Sequence, residues 1–186
     1  ASVQKTQLMA QRVEQSLLEK YWIERAGYLV DNISDQGKDS SFRANQLIAT
    51  GLPFCPFSKE QITTIVEKAD HLLVTPYGLR TLSPFHPAYR GQVGENREEE
   101  AGAWHNGVVH PWLIWPYAYS VSRTDKPLTK IFETFGPLFE SVDSGLQGHI
   151  SEAFEGDAPH RPLGVPASAV SLAAVISTVL FLRKNT

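Results

Sequence analysis

Cysteine is almost absent. Cys55 stands alone, which excludes an internal disulfide framework and any cysteine-based zinc site within the chain. That fits a reducing compartment, and a cytoplasmic location is the expectation. Basic charge is also scarce: 17 Lys and Arg against 20 Asp and Glu leave a net charge of −3. No Lys/Arg run is long enough to follow a phosphate backbone, so nucleic acid is not an expected partner. The start, Ala1 to Gln15, lacks the charged segment and apolar core of a signal peptide and is polar and amphipathic instead. Long apolar runs are missing except for Val165 to Leu182, which approaches the length that spans a bilayer, with Arg183 and Lys184 left for the surface. Ser168, Ser171, Ser177 and Thr178 within it suit helix packing as well as lipid. A buried helix is the reading taken, and no membrane partner is expected.

What is present is material for a core. With 42% hydrophobic residues in 186, a single domain over residues 1–186 is expected. Gln4 to Trp22 reads as an amphipathic helix, with Leu8, Val13, Leu17, Leu18 and Tyr21 at three- and four-residue intervals. Gly27 to Asp31 alternates briefly as a short strand or extended loop, and Asp35 to Ser41 reads as a polar turn. Phe42 to Thr50 forms a second, short helix stopped by Gly51 and Pro53. Ser58 caps a third, with Gln61 completing a capping box and Ile62, Ile65, Val66, Ala69 and Leu73 as its buried stripe. Pro76 and Gly78 end it.

Leu79 to Ala103 has no period and reads as a long connection, of the kind that is functional or disordered. His105 to Ser122 is expected as one aromatic helix kinked by Pro111 and Pro116. Lys126 to Ser141 follows as a fifth helix, distorted at Gly136-Pro137. Amphipathic helices (first, third, fifth) thus alternate with short or all-round apolar ones (second, fourth, sixth). A helical toroid needs that alternation of outer and inner rings. The fold class expected is all-α.

Between the last two helices lies Gly148 to Gly164, which holds Glu152, Glu155, Asp157, His149, His160 and Arg161 between Gly and Pro breakers. Ionisable groups on a shaped loop are candidates for acid and base chemistry. The alternative for Glu155 and Asp157 is a turn or a charge pair with Arg161.

Ile150 to Pro162 (Ile-Ser-Glu-Ala-Phe-Glu-Gly-Asp-Ala-Pro-His-Arg-Pro) resembles the signature near the end of the glucosidase domain of glycogen debranching enzymes, the amylo-alpha-1,6-glucosidase family. Four more stretches are similar in the same order: Phe42 to Gln46, Thr75 to Pro84, Tyr89 to Gly91, and Trp104 to Trp112. The resemblance implies an (alpha/alpha)6 barrel. Three helical hairpins are counted here, so residues 1–186 would be the C-terminal half of such a barrel, facing a missing N-terminal half or a second copy.

The resemblance also implies inverting hydrolysis of alpha-1,6-linked glucose in glycogen or related alpha-glucan, with Glu152 as catalytic base and close competitors in Glu155 and Asp157. The family's general acid, an Asp in an upstream Trp-containing motif, has no counterpart in this sequence. A catalytically incomplete chain that binds glucan is therefore the alternative. Sugars are held by aromatic platforms and hydrogen-bonding side chains. Trp104, His105, Asn106, Trp112, Tyr77, Arg80 and Arg43 offer that chemistry, and Asp157 and His160 are assigned to substrate with them. For Trp112 the alternative is core.

Neither cofactor nor metal is expected; on one helix His105 and His110, five residues apart, would point away from each other. Val108 and His110 stand where the family has a Thr and a Trp, and Ser168 and Val170 where it has a Gln and a Trp. Those replacements remove sugar-binding groups.

Overall fold

The computed structural model describes residues 2–94, 97–144 and 148–186. Helix α1 (Ser2–Ser16) passes into a π-helical turn, Leu17–Tyr21, close to the expected span. Its apolar stripe, however, is covered only towards its C-terminal end. Leu17, Tyr21 and Trp22 meet the core, while Leu8, Met9 and Val13 are each more than half exposed.

Two small antiparallel hairpins follow, β1 (Trp22–Ile23) with β2 (Tyr28–Leu29) and β3 (Asn32–Ser34) with β4 (Gly37–Asp39). Helix α2 (Asn45–Gly51) starts three residues later than expected. Arg43 is extended and bridges to Leu82. Helix α3 (Lys59–Leu72) begins as its sequence dictates: the Ser58 hydroxyl accepts from the Gln61 N–H, and the Gln61 side chain accepts from the Ser58 N–H. Ile62, Ile65, Val66 and Ala69 form its buried face.

The chain then becomes less helical than its sequence suggests. Pro76 and Gly78 end α3 by turning a hairpin between β5 (Val74–Thr75) and β6 (Gly78–Arg80). The expected featureless connection contains β6 and helix α4 (Arg97–His105). The expected helix from His105 to Ser122 is three pieces: β7 (Val109–His110), a 3-10 turn (Pro111–Leu113) and α5 (Ile114–Val121). Val109 is taken by strand partners Arg80 and Phe154, and Pro111 has no N–H with which to continue a helix from upstream.

Helices α6 (Thr129–Thr134) and α7 (Gly136–Ser144) replace the fifth expected helix, interrupted where Gly136-Pro137 stands. The segment after Gly148 supplies β8 (Ala153–Phe154) and β9 (Pro162–Leu163) before α8 (Ala169–Asn185), which Ser168 caps. The order β5-β6-β7-β8-β9 is antiparallel throughout. The all-α expectation is therefore corrected to a helical architecture with a small sheet. Strands of two or three residues are too short for alternation to show.

The core gathers Leu47, Ile65, Leu73, Leu79, Ile114, Phe135, Leu138 and Leu182. Helices α2 and α5 meet closely, since a Cβ on Gly51 would lie 2.7 Å from the Pro116 carbonyl oxygen and the Thr50 and Ser120 hydroxyls are 2.7 Å apart. Helix α8 was expected to be buried all round. It buries one stripe, Ser171, Val175, Thr178 and Leu182, and exposes Val170, Ile176 and Leu180. Among the described residues no helix is long and apolar enough to cross a membrane.

Candidate active site

The end of α4, the β3–β4 hairpin, the start of α2 and the turn after β7 enclose a cleft of about 480 Å³. Trp104, His105, His110, Trp112, Arg43, Asp31, Asp39, Asn45 and Thr81 are among its lining residues. Four sequence candidates, Arg43, Trp104, His105 and Trp112, are thus brought together. Trp112 both lines the cleft and packs against the core.

Arg43 is engaged by protein. Its guanidinium donates to the His105 carbonyl at 2.6 Å and to Asn106 Oδ1 at 3.0 Å, and its Nε lies 3.5 Å from Asp31 Oδ2. Asn106 in turn donates to the Gly102 carbonyl at 2.9 Å. Arg43 and Asn106 therefore clamp the end of α4 to the β3 side of the cleft. His105 and His110 do not share a helix, and both line the cleft. Among the described residues no group of His, Cys, Asp and Glu could hold a metal ion.

Glu152 stands beside this cleft. Its carboxylate accepts from the Val165 N–H at 3.1 Å. A Cβ built on Gly164 would meet Glu152 Oε2 at 2.6 Å on one side and Trp104 Cη2 at 3.0 Å on the other. Only glycine lets the carboxylate and the indole approach from both sides. The ring of His110 lies edge-on to Trp104, with centroids 5.5 Å apart. Burial pushes the His110 ring below the usual histidine value, against the Trp104 and Glu152 carbonyls and the Glu152 carboxylate, which favour its charge.

The other acidic residues of the segment are spoken for. Glu155 is 2% exposed and takes both 2.8 Å donors of Arg161, which hold its carboxyl below the usual range despite burial. Asp157 accepts the Tyr89 hydroxyl at 2.9 Å. Burial, and then Asp157, push that phenol up to about 12. Arg80 donates to the Tyr89 oxygen at 3.2 Å and the Gly156 carbonyl at 2.9 Å. His160 sits at φ 60 with Nδ1 2.8 Å from the Glu155 carbonyl and its ring against Tyr77. Arg80, Asp157 and His160 thus brace the Glu152 segment and do not line the cleft.

Sequence reasoning missed Asp31, Asn32, Asp39, Asn45 and Thr81 as cleft residues. Asp39 accepts the Ser41 N–H at 2.8 Å, and hydrogen bonds from Ser41 lower its pKa. These residues read as turn and helix-start polar groups, and nothing in their spacing announces a cleft.

Residues 3–177 match the family model described as amylo-alpha-1,6-glucosidase. Among solved structures, the chain resembles mannosylglycerate hydrolase from Thermus thermophilus, in complex with Tris, at 12% identity and a TM-score of 0.60, over 90% of this chain and 36% of that one. It also resembles neutral trehalase from Saccharomyces cerevisiae at 14% identity and a TM-score of 0.57, over 94% of this chain and 30% of that one. Both are (alpha/alpha)6 glycosidases. The chain spans about a third of their length, and at these identities the likeness is one of fold. No curated protein sequence matches the chain.

Proposed function

The chain belongs to the amylo-alpha-1,6-glucosidase family, and from that premise we propose that it forms part of a glycoside hydrolase that removes alpha-1,6-linked glucose from glycogen or a related branched alpha-glucan, with inversion. Inverting hydrolysis uses one carboxylate as base for water and one carboxylic acid for the leaving oxygen, about 6.5–9.5 Å apart. Glu152 is the base in this reading. The observation that carries it is the division of labour within one segment: Glu155 is locked to Arg161 and Asp157 holds Tyr89, whereas the Glu152 carboxylate stands beside the cleft with a backbone N–H as its hydrogen-bond donor.

Trp104 and Trp112 offer apolar faces to sugar C–H groups, and Asn45, Thr81 and His105 offer polar atoms to hydroxyls. The general acid comes from outside these residues, supplied by the remainder of the toroid or by a second copy. A cytoplasmic setting fits the lone Cys55. Limit dextrin carrying single-glucose branches is the test substrate. The complete protein carrying this sequence releases glucose from it and none from linear maltodextrin; release from both at equal rates would refute the linkage assignment.

A second reading, glucan binding without cleavage, is favoured by Val108 and His110 in place of the Thr and Trp of the similar family motif. Binding to limit dextrin with no glucose released would select it.

A further inference from the structure

Tyr89, Arg90 and Gly91 are not among the residues lining the cleft, yet they are hydrogen-bonded to two of its walls. Towards α4, the Arg90 N–H donates to the Asn106 carbonyl at 2.6 Å, two residues beyond Trp104. Towards the Glu152 segment, the Gly91 carbonyl accepts from the Gly156 N–H at 2.6 Å and from the Asp157 N–H at 3.2 Å. The Tyr89 hydroxyl adds a side-chain bond there, donating to Asp157 Oδ1 at 2.9 Å while Arg80 Nε donates to its oxygen at 3.2 Å. The three main chains pack closely. A Cβ on Gly156 would meet the Gly107 carbonyl oxygen and the Tyr89 hydroxyl, and one on Gly107 would meet the Arg90 carbonyl oxygen.

We infer that Tyr89-Arg90-Gly91 is a strut, with Tyr89 its positioning residue, that holds the Glu152 carboxylate at a fixed spacing from the Trp104 face of the cleft. The catalytic meaning of that spacing rests on the reading of Glu152 as the base. Trp104 Cη2 and Glu152 Oε2 both stand against Gly164, 3.0 and 2.6 Å from where its Cβ would be, so the gap between them follows from how the two walls are held. Only β8 and Glu155 separate Glu152 from Gly156, and β8 is held between β7 and β9, so a shift at Gly156 reaches Glu152. A sugar resting on the indole needs the carboxylate at one distance from its reacting carbon. A misplacement of about 1 Å costs on the order of 100-fold in rate and leaves the contacts with the platform in place.

The test uses fluorine NMR of the complete protein carrying this sequence, made with fluorotryptophan and with the Trp104 line assigned by Trp104→Phe. Glu152→Gln moves that line in the wild-type background, and moves it less than half as far when Tyr89→Phe or Asp157→Ala has loosened the strut. An equal shift in all three backgrounds, or no shift in any, overturns the inference whatever the activity. Kinetics supply the second arm. Tyr89→Phe keeps the ring and loses only the hydroxyl; it lowers kcat at least about tenfold with KM within about threefold, as expected for a displaced reacting group. In Glu152→Gln, where the positioned group is gone, adding Tyr89→Phe lowers the residual rate less than about threefold. Equal losses in both backgrounds would make Tyr89 a stabiliser of the fold alone and contradict the inference, as would an unchanged kcat or a rise in KM alone. Should the wild type release no glucose while the fluorine result holds, the hydrolase reading fails and the strut stands.

Discussion

Three carboxylates share the segment from Gly148 to Gly164, and their partners divide them. Glu155 is a folding group. Its pKa is lowered in the fold by Arg161, so its contribution to stability is present in full above the ordinary glutamate value and is lost as pH falls through the lower folded value. Thermal melts from neutral pH downward should show that loss in the wild type, and Glu155→Gln should flatten it while lowering stability at neutral pH. The Glu152 carboxylate accepts from the Val165 N–H, and Glu152→Gln, which keeps an acceptor there, should leave the melting curve at neutral pH nearly unchanged. The possible pairing of Glu155 with Arg161 was legible in the sequence. The clamp of Arg43 on His105, Asn106 and Asp31 was not, because it joins positions far apart in the chain whose approach depends on the tertiary fold.

Elements were legible where a local rule decided them. The capping box at Ser58 fixed the start of α3, and Ser58→Ala should cost about 1 kcal/mol, read from chemical denaturation. Gly136-Pro137 interrupted a helix as its chemistry demands. Apart from Gly27 to Asp31, which holds β2, the strands were illegible because segments of two or three residues carry no period, and partners such as Val109 and Phe154 lie far apart in sequence. The burial of α8 was misread for a related reason. A helix apolar on every side does not declare which stripe faces inward, and the buried stripe turned out to include Ser171 and Thr178. Close contact between α2 and α5 gives a sharper test. Gly51→Ala places a methyl 2.7 Å from the Pro116 carbonyl oxygen, where backbone must move, and should cost about 1–3 kcal/mol in denaturant unfolding.

At the scale of the whole molecule, the described residues include exposed apolar side chains on two helices: Val3, Leu8, Met9 and Val13 on α1, and Val170, Ile176 and Leu180 on α8. Surfaces of this kind mark interfaces or aggregation. The chain aligns with 36% of the length of one similar structure and 30% of another. Residues 1–186 taken alone should therefore self-associate at micromolar concentration in light scattering; a monodisperse monomer of 20.7 kDa would show that these faces need no cover.

The proposed role of Glu152 as base in an inverting hydrolysis has a stereochemical readout. Proton NMR of limit dextrin during the first minutes of reaction observes the released glucose before it mutarotates. The complete protein should release β-glucose first, and Glu152→Gln should slow release at least about 100-fold, the range expected for loss of a general base. α-Glucose as the first product, or a Glu152→Gln variant as fast as the wild type, would contradict it.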